Sequence, residues 1–134
     1  MELGKSELNG KDAREFERRV DYRGGTRAQD VLRWALEKFH PNIAIACSFQ
    51  HAVLIDMAVK INPDARVFSI DTGRLPEETY ECARDFERRF GIDIEWHFPR
   101  HDAIEKMIRE KGPFSFLESL DARRECCAIR KVEP

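Results

Sequence analysis

The sequence has no apolar run approaching the ~20 residues that cross a bilayer. Its opening stretch, MELGKSELNG, also lacks the apolar segment of a secretory signal. On those grounds it reads as soluble and cytoplasmic, with no membrane partner. An excess of charge is missing too: 23 Lys and Arg stand against 25 Asp and Glu, a net charge of -2. Such a balance excludes bulk electrostatic capture of nucleic acid, so an anion site must be local. Internal repeats, low-complexity tracts and linkers rich in Gly, Pro or Ser are absent. The 134 residues therefore read as one continuous unit, long enough to bury about two thirds of its unfolded surface.

Cysteine is sparse, with Cys47, Cys82, Cys126 and Cys127 only. Without a secretory signal these thiols are expected to stay reduced, which moves metal binding or thiol chemistry ahead of a disulfide framework. Cys126 and Cys127 are neighbours, and a trans peptide holds neighbouring Cα atoms about 3.8 Å apart, closer than the ~4.4–6.8 Å of a relaxed disulfide. The pair is expected to address a third party. Arg123, Arg124, Arg130 and Lys131 flank it, cations that depress thiol pKa and offset the charge of a thiolate-bound group. Thiolates suit an iron–sulfur cluster or zinc, but a cluster usually needs four of them. The plainer alternative is two small buried residues on a helix. Cys47 and Cys82 read as core or incidental, and His40, His51, His97 and His101 show no metal-ligand spacing among themselves.

What is present is an alternation of helices and strands. A charged helix is expected over residues 11–20, and Thr26 with Gln29 forms a capping-box pattern for a second, amphipathic helix ending before Pro41. Residues 43–47, IAIAC, are apolar without alternation, as for a strand buried on both faces. Residues 52–61 read as an apolar helix and 66–70, RVFSI, as a strand. The helix that follows has Pro76 near its first turn, Tyr80, Ala83, Phe86 and Phe90 on one face, and Gly91 at its end. Residues 92–96 make a third strand, and Asp102 is the expected cap of a helix that Gly112 and Pro113 terminate. Strands separated by helices imply βαβ units and an α/β fold with a doubly wound, mainly parallel sheet, preceded by a helical segment over residues 1–40.

Ligands of such sheets lie at the carboxyl ends of the strands, here residues 47–50 and 71–74. Ser48 and Gln50 offer donors beside a helix start, where anions are favoured; alternatively Ser48 only caps that helix. Neither a Walker A loop nor GxGxxG is present. In DTGR, Asp71 and Thr72 can bond a base or ribose, Gly73 permits close backbone approach, and Arg74 can fork onto phosphate. The competing roles are a cap, a turn former and a solvated charge.

SFQHAVLIDM (48–57), DTGRLPEETY (71–80), KGPFSF (111–116) and ECCAIRKVEP (125–134), in that order, resemble the assimilatory adenylyl-sulfate reductases, relatives of the phosphoadenylyl-sulfate reductases. The resemblance runs from about residue 42 to residue 134. It implies an adenine nucleotide α-hydrolase-like sheet. It further implies reduction of adenosine 5'-phosphosulfate to sulfite and AMP, with thioredoxin as electron donor and an enzyme S-sulfocysteine on the way. Position by position, Cys126 and Cys127 match the first pair of ligands to a [4Fe-4S] cluster. Lys131 matches a lysine between cluster and substrate, with Arg130 its basic neighbour. Ser48 and Gln50 match the phosphosulfate loop, and Asp71, Thr72, Gly73 and Arg74 the nucleotide loop. The CC pair favours the substrate without a 3'-phosphate.

The resemblance also implies a second cluster pair and a nucleophilic cysteine downstream of RKVEP, so the sequence is expected to be the N-terminal part of a longer reductase with an incomplete sheet, inactive alone. The alternatives are a phosphoadenylyl-sulfate reductase, a stand-alone adenine nucleotide binding module, and a zinc-stabilised interaction domain. A homo-oligomer is compatible with all of them.

Overall fold

The computed structural model describes residues 10–20, 27–50 and 52–134. Thr26 and His51, singled out above, lie outside them. Helix α1 (Gly10–Arg19) and helix α2 (Ala28–Phe39) come first. They meet through a polar cluster in which Lys38 reaches Asp12 at 2.8 Å and also Glu15, while the Trp34 indole donates to Glu15 at 3.3 Å. Arg27 occupies the N-cap position of α2 and makes no side-chain cap bond.

Then strands and helices alternate: β1 (Ala44–Ala46), α3 (Val53–Ile61), β2 (Arg66–Ile70), α4 (Glu77–Phe90), β3 (Ile94–His97) and α5 (His101–Lys111). A 3-10 turn (Ser115–Leu117), helix α6 (Leu120–Cys127) and a π-helical turn (Ala128–Val132) complete the order. Most ends follow from local chemistry. Gly91 adopts φ 64° and returns its N–H to the Glu87 carbonyl, a left-handed stop that glycine accepts without a Cβ penalty. Ser119 caps α6 by accepting the Ala122 N–H at 3.1 Å. One cap is corrected: α5 starts at His101 with Arg100 at its N-cap position, and Asp102 lies inside the first turn. The Arg100 guanidinium takes both Asp102 oxygens, at 3.1 and 2.6 Å, so that carboxylate faces a cation and does not close the helix end.

The sheet is parallel throughout, in the order β1-β2-β3, with Ile45 opposite Val67 and Val67 opposite Ile94. Sequential order with right-handed crossovers carries α3 and α4 to one face. There Leu36, Ile55, Ala58 and Ala83 pack against Ile45, Val67 and Ile94. Burying each large aliphatic side chain contributes about 1.5–3 kcal/mol. The three described strands form one wing of the α/β sheet, without a reversal of order. Burial in β1 accordingly alternates, Ile45 inward and Ala46 exposed, which corrects the expectation of a strand covered on both sides. On the second face Arg66 forks onto Glu95 at 2.6 and 2.7 Å, and Phe68 meets the His97 ring edge-on. That ion pair holds the Glu95 carboxyl below the usual carboxylate range. Among the described residues no helix is long and apolar enough to cross a membrane.

Candidate functional site

Two loops leave the carboxyl ends of β1 and β2 side by side. The second, residues 71–74, is tied at every residue. Asp71 is 7% exposed; its N–H donates to the His97 carbonyl at 2.9 Å, continuing the ladder past β2. One carboxylate oxygen accepts the Gly73 N–H at 2.7 Å and the other accepts the Tyr80 hydroxyl at 2.7 Å. The hydrogen bond to Asp71 pushes the Tyr80 phenol above its ordinary range, because ionising it would set two anions together. The Thr72 carbonyl accepts from Arg130 at 2.5 Å. Gly73 has φ 70°, a conformation that favours glycine, and a Cβ there would meet the Arg130 guanidinium at a tight 3.3 Å. Arg74 donates to the Pro113 carbonyl and lies over the Phe116 ring at 4.6 Å and the Phe114 ring at 5.8 Å.

The first loop, residues 47–50, is held mainly through Phe49. This residue has φ 60°, a left-handed conformation that costs a Cβ-bearing residue about 1–2 kcal/mol. Its N–H donates to the Cys47 thiol at 3.3 Å, the Cys82 thiol donates to its carbonyl at 3.8 Å, and its ring packs on Phe86 and Trp96. Burial pushes the Cys47 thiol up. Ser48 and Gln50 on either side are exposed. Helix α3 begins four residues after Phe49 with Ala52 at its N-cap, so Ser48 is not its cap.

Between the loops lies a crevice of about 500 Å³ whose walls include Ser48, Gln50, Phe68, Ile70, Thr72, Leu75 and Lys131. A second crevice, about 520 Å³, opens beside it among Arg74, Phe116, Arg123, Cys126, Cys127 and Arg130, and shares Thr72, Leu75 and Lys131 with the first. The structure thus brings Ser48, Gln50, Thr72 and Lys131 to one cavity, and Arg74, Arg130 and both cysteines to its neighbour. Asp71 and Gly73 line neither; they shape the loop between. By sequence Tyr80 reads only as one residue of a helix face with Ala83, Phe86 and Phe90. The signal that would have found it is its place nine residues after Asp71, about one helical turn into α4.

The donor set of the second crevice suits an anionic, thiol-bound group. Four cations line it, no carboxylate does, and the Arg130 Nε is buried without a hydrogen-bond partner among the described residues. Cys126 is buried and Cys127 half-buried at the end of α6. These are two thiols of the four that a cubane cluster takes. Cys47 belongs to the other crevice, and no group of three or more His, Cys, Asp or Glu able to hold a metal ion occurs among the described residues.

Residues 40–134 match the model of the phosphoadenosine phosphosulfate reductase domain. Similar proteins include the adenosine 5'-phosphosulfate reductase of Pseudomonas aeruginosa, 43% identical over 107 residues, covering 79% of this chain and 39% of that protein. The chloroplastic 5'-adenylylsulfate reductase 3 of Arabidopsis thaliana is 45% identical over 106 residues, covering 78% of this chain and 23% of its own length. Adenosine 5'-phosphosulfate reductase 2 of Bacillus subtilis is 34% identical over 109 residues, with 78% and 44% covered. The chain thus spans less than half the length of each of these relatives.

Proposed function

This chain belongs to the phosphoadenosine phosphosulfate reductase domain family, and we propose that it forms the nucleotide-binding part of a cytoplasmic, thioredoxin-dependent adenylyl-sulfate reductase. The reaction would convert adenosine 5'-phosphosulfate to sulfite and AMP. The observation that carries this reading is the wall of Thr72, Leu75 and Lys131 shared by two crevices, one at the strand ends and one lined by cations and paired thiols. Names of the relatives supply the substrate.

In this reading Phe68, Ile70 and Leu75 offer the apolar surface for the adenine ring. Ser48, Gln50 and Lys131 offer donors to the phosphosulfate. Asp71 and Gly73 act indirectly, by fixing the loop that presents Thr72. A thiolate attacks the sulfur, the bond from sulfur to the bridging oxygen breaks, and AMP leaves with that oxygen and its electron pair. Thioredoxin's dithiol then supplies two electrons, releasing sulfite and becoming a disulfide. Such a transfer depends on positioning and cationic stabilisation more than on acid–base groups. The attacking cysteine is the one that family resemblance assigns downstream of Pro134. A [4Fe-4S] cluster fits the second crevice as far as its donors go: Cys126 and Cys127 would hold two corners, and its contribution there would be a fixed charge beside the cations.

The test is a titration of the chain with AMP, followed by amide resonances. Expected are shifts at Ser48, Gln50, Thr72 and Lys131, and an affinity about tenfold weaker in Lys131→Ala, the loss of one charge-assisted bond. Lys131→Arg should recover part of it. Shifts confined to other surfaces would overturn the reading. Tighter binding of adenosine 3',5'-bisphosphate than of AMP would transfer it to the 3'-phosphorylated substrate.

A further inference from the structure

We infer that Tyr80 is a positioning residue that couples the two strand-end loops, holding the second through its hydroxyl and backing the first through its ring. The inference deepens the nucleotide-site reading and rests on it for its functional consequence. The hydroxyl leg is the 2.7 Å bond to Asp71, whose other carboxylate oxygen takes the Gly73 N–H. The ring leg runs through Trp96. Its ring lies 5.9 Å from that of Tyr80, tilted by 36°, and 5.7 Å from that of Phe49, tilted by 38°. Trp96 is on β3, next to His97, whose carbonyl receives the Asp71 N–H. One side chain on α4 therefore bears on Gly73, where the second loop turns, and on Phe49, where the first one does.

Two features make the linkage informative. Tyr80 is 41% exposed and lines neither crevice, so its contribution is not a share of the core or a ligand contact. Phe49 and Gly73 are the loop residues with positive φ, and each sits beside residues proposed to meet the nucleotide. A two-point hold on both turns would keep Ser48 and Gln50 in register with Thr72, which a ligand spanning the crevice needs.

The experiment separates the legs in the 134-residue chain without ligand. Tyr80→Phe keeps the ring and removes the hydroxyl; Trp96→Phe and Trp96→Leu weaken the ring path and leave the hydroxyl; Tyr80→Leu removes both. Backbone amide resonances and hydrogen exchange of Gly73 and Phe49 are read at neutral pH, beside the urea midpoint. Coupling predicts that Tyr80→Phe moves Gly73 alone, that the Trp96 variants move Phe49 alone, and that Tyr80→Leu moves both. Exchange at Gly73 should rise about tenfold in Tyr80→Phe, the loss of the hydroxyl bond that holds Asp71, and exchange at Phe49 should rise in the Trp96 variants. Tyr80→Leu should also weaken AMP by more than Tyr80→Phe does. The inference is overturned if Phe49 is unmoved in Tyr80→Leu, or if both amides change only in proportion to the urea midpoint. Should AMP not bind the unaltered chain, the nucleotide reading falls while the amide pattern still decides the coupling.

Discussion

The loops after β1 and β2 leave the same sheet, yet they are built differently. The second is over-determined: Asp71, Thr72 and Arg74 are bonded to other elements, and Gly73 is bonded to Asp71 within the loop. The first is held at Cys47, whose N–H donates to the Phe68 carbonyl and whose carbonyl accepts the Ser69 hydroxyl, and at Phe49, and it leaves Ser48 and Gln50 exposed. A loop fixed at every residue can present a backbone surface of constant shape. One fixed at Cys47 and Phe49 alone can adjust the exposed donors Ser48 and Gln50 around an anion. The difference teaches a division of labour: polar residues that look alike in sequence, Asp71 and Ser48, are respectively a structural tie and a free donor.

The comparison breaks most severely at Asp71. Asp71→Ala orphans the Gly73 N–H and the Tyr80 hydroxyl at once, and two lost bonds to a buried carboxylate should lower stability by about 2–4 kcal/mol, read as the urea midpoint. Ser48→Ala should leave that midpoint unchanged. Gly73→Ala comes next. It carries the left-handed penalty of about 1–2 kcal/mol and pushes a methyl toward Arg130, so thermal unfolding should shift down and the Arg130 bond to Thr72 should weaken.

Phe49 offers a sharper, smaller contrast. Phe49→Ala and Phe49→Gly lose the same ring contacts, but glycine accepts φ 60°, so the glycine variant should be the more stable of the two by about 1 kcal/mol. Equal midpoints would mean that the left-handed turn is not maintained. The smallest effect is one of pH. Because the folded state raises the Tyr80 phenol's pKa, its bond stabilises the fold fully below the unfolded value near 10 and is lost as pH rises through the raised value. The difference in urea midpoint between the unaltered chain and Tyr80→Phe should be constant up to about pH 9 and shrink as pH rises through the raised value.

Much of this was readable from residues alone because the signals are local. Residues 66–70 form β2 as expected, Gly91 stops α4, and the two polar loops do meet at one crevice. What spacing does not give is which partner a charged side chain takes. Arg74 reads as a phosphate ligand, and in the fold its guanidinium also meets a carbonyl and two rings some forty residues downstream. Asp71 reads as a ligand to a base or ribose, and in the fold its carboxylate accepts from Gly73 and Tyr80. Asp102 looked like a cap, and the Arg100 guanidinium captured it. In each case a charged side chain has several partners within reach, some two residues away and one 39 residues away, and spacing does not rank them.

The π-helical turn over Ala128–Val132 has a consequence of another kind. Its wider ring, closed by Glu133 N–H on the Ala128 carbonyl, sets Arg130 inward and Lys131 on the wall between crevices. Such a turn holds one more residue than the α-helical ladder before it. The direction of both cations is therefore a property of chain length, not of side-chain identity. Removing one residue at Ala128 or Ile129 would swing Lys131 about 100° around the axis with every chemical group retained. Substitution scanning would pass over that dependence; a single-codon deletion would expose it, and lineages that gain or lose a residue there would rewire the wall in one step.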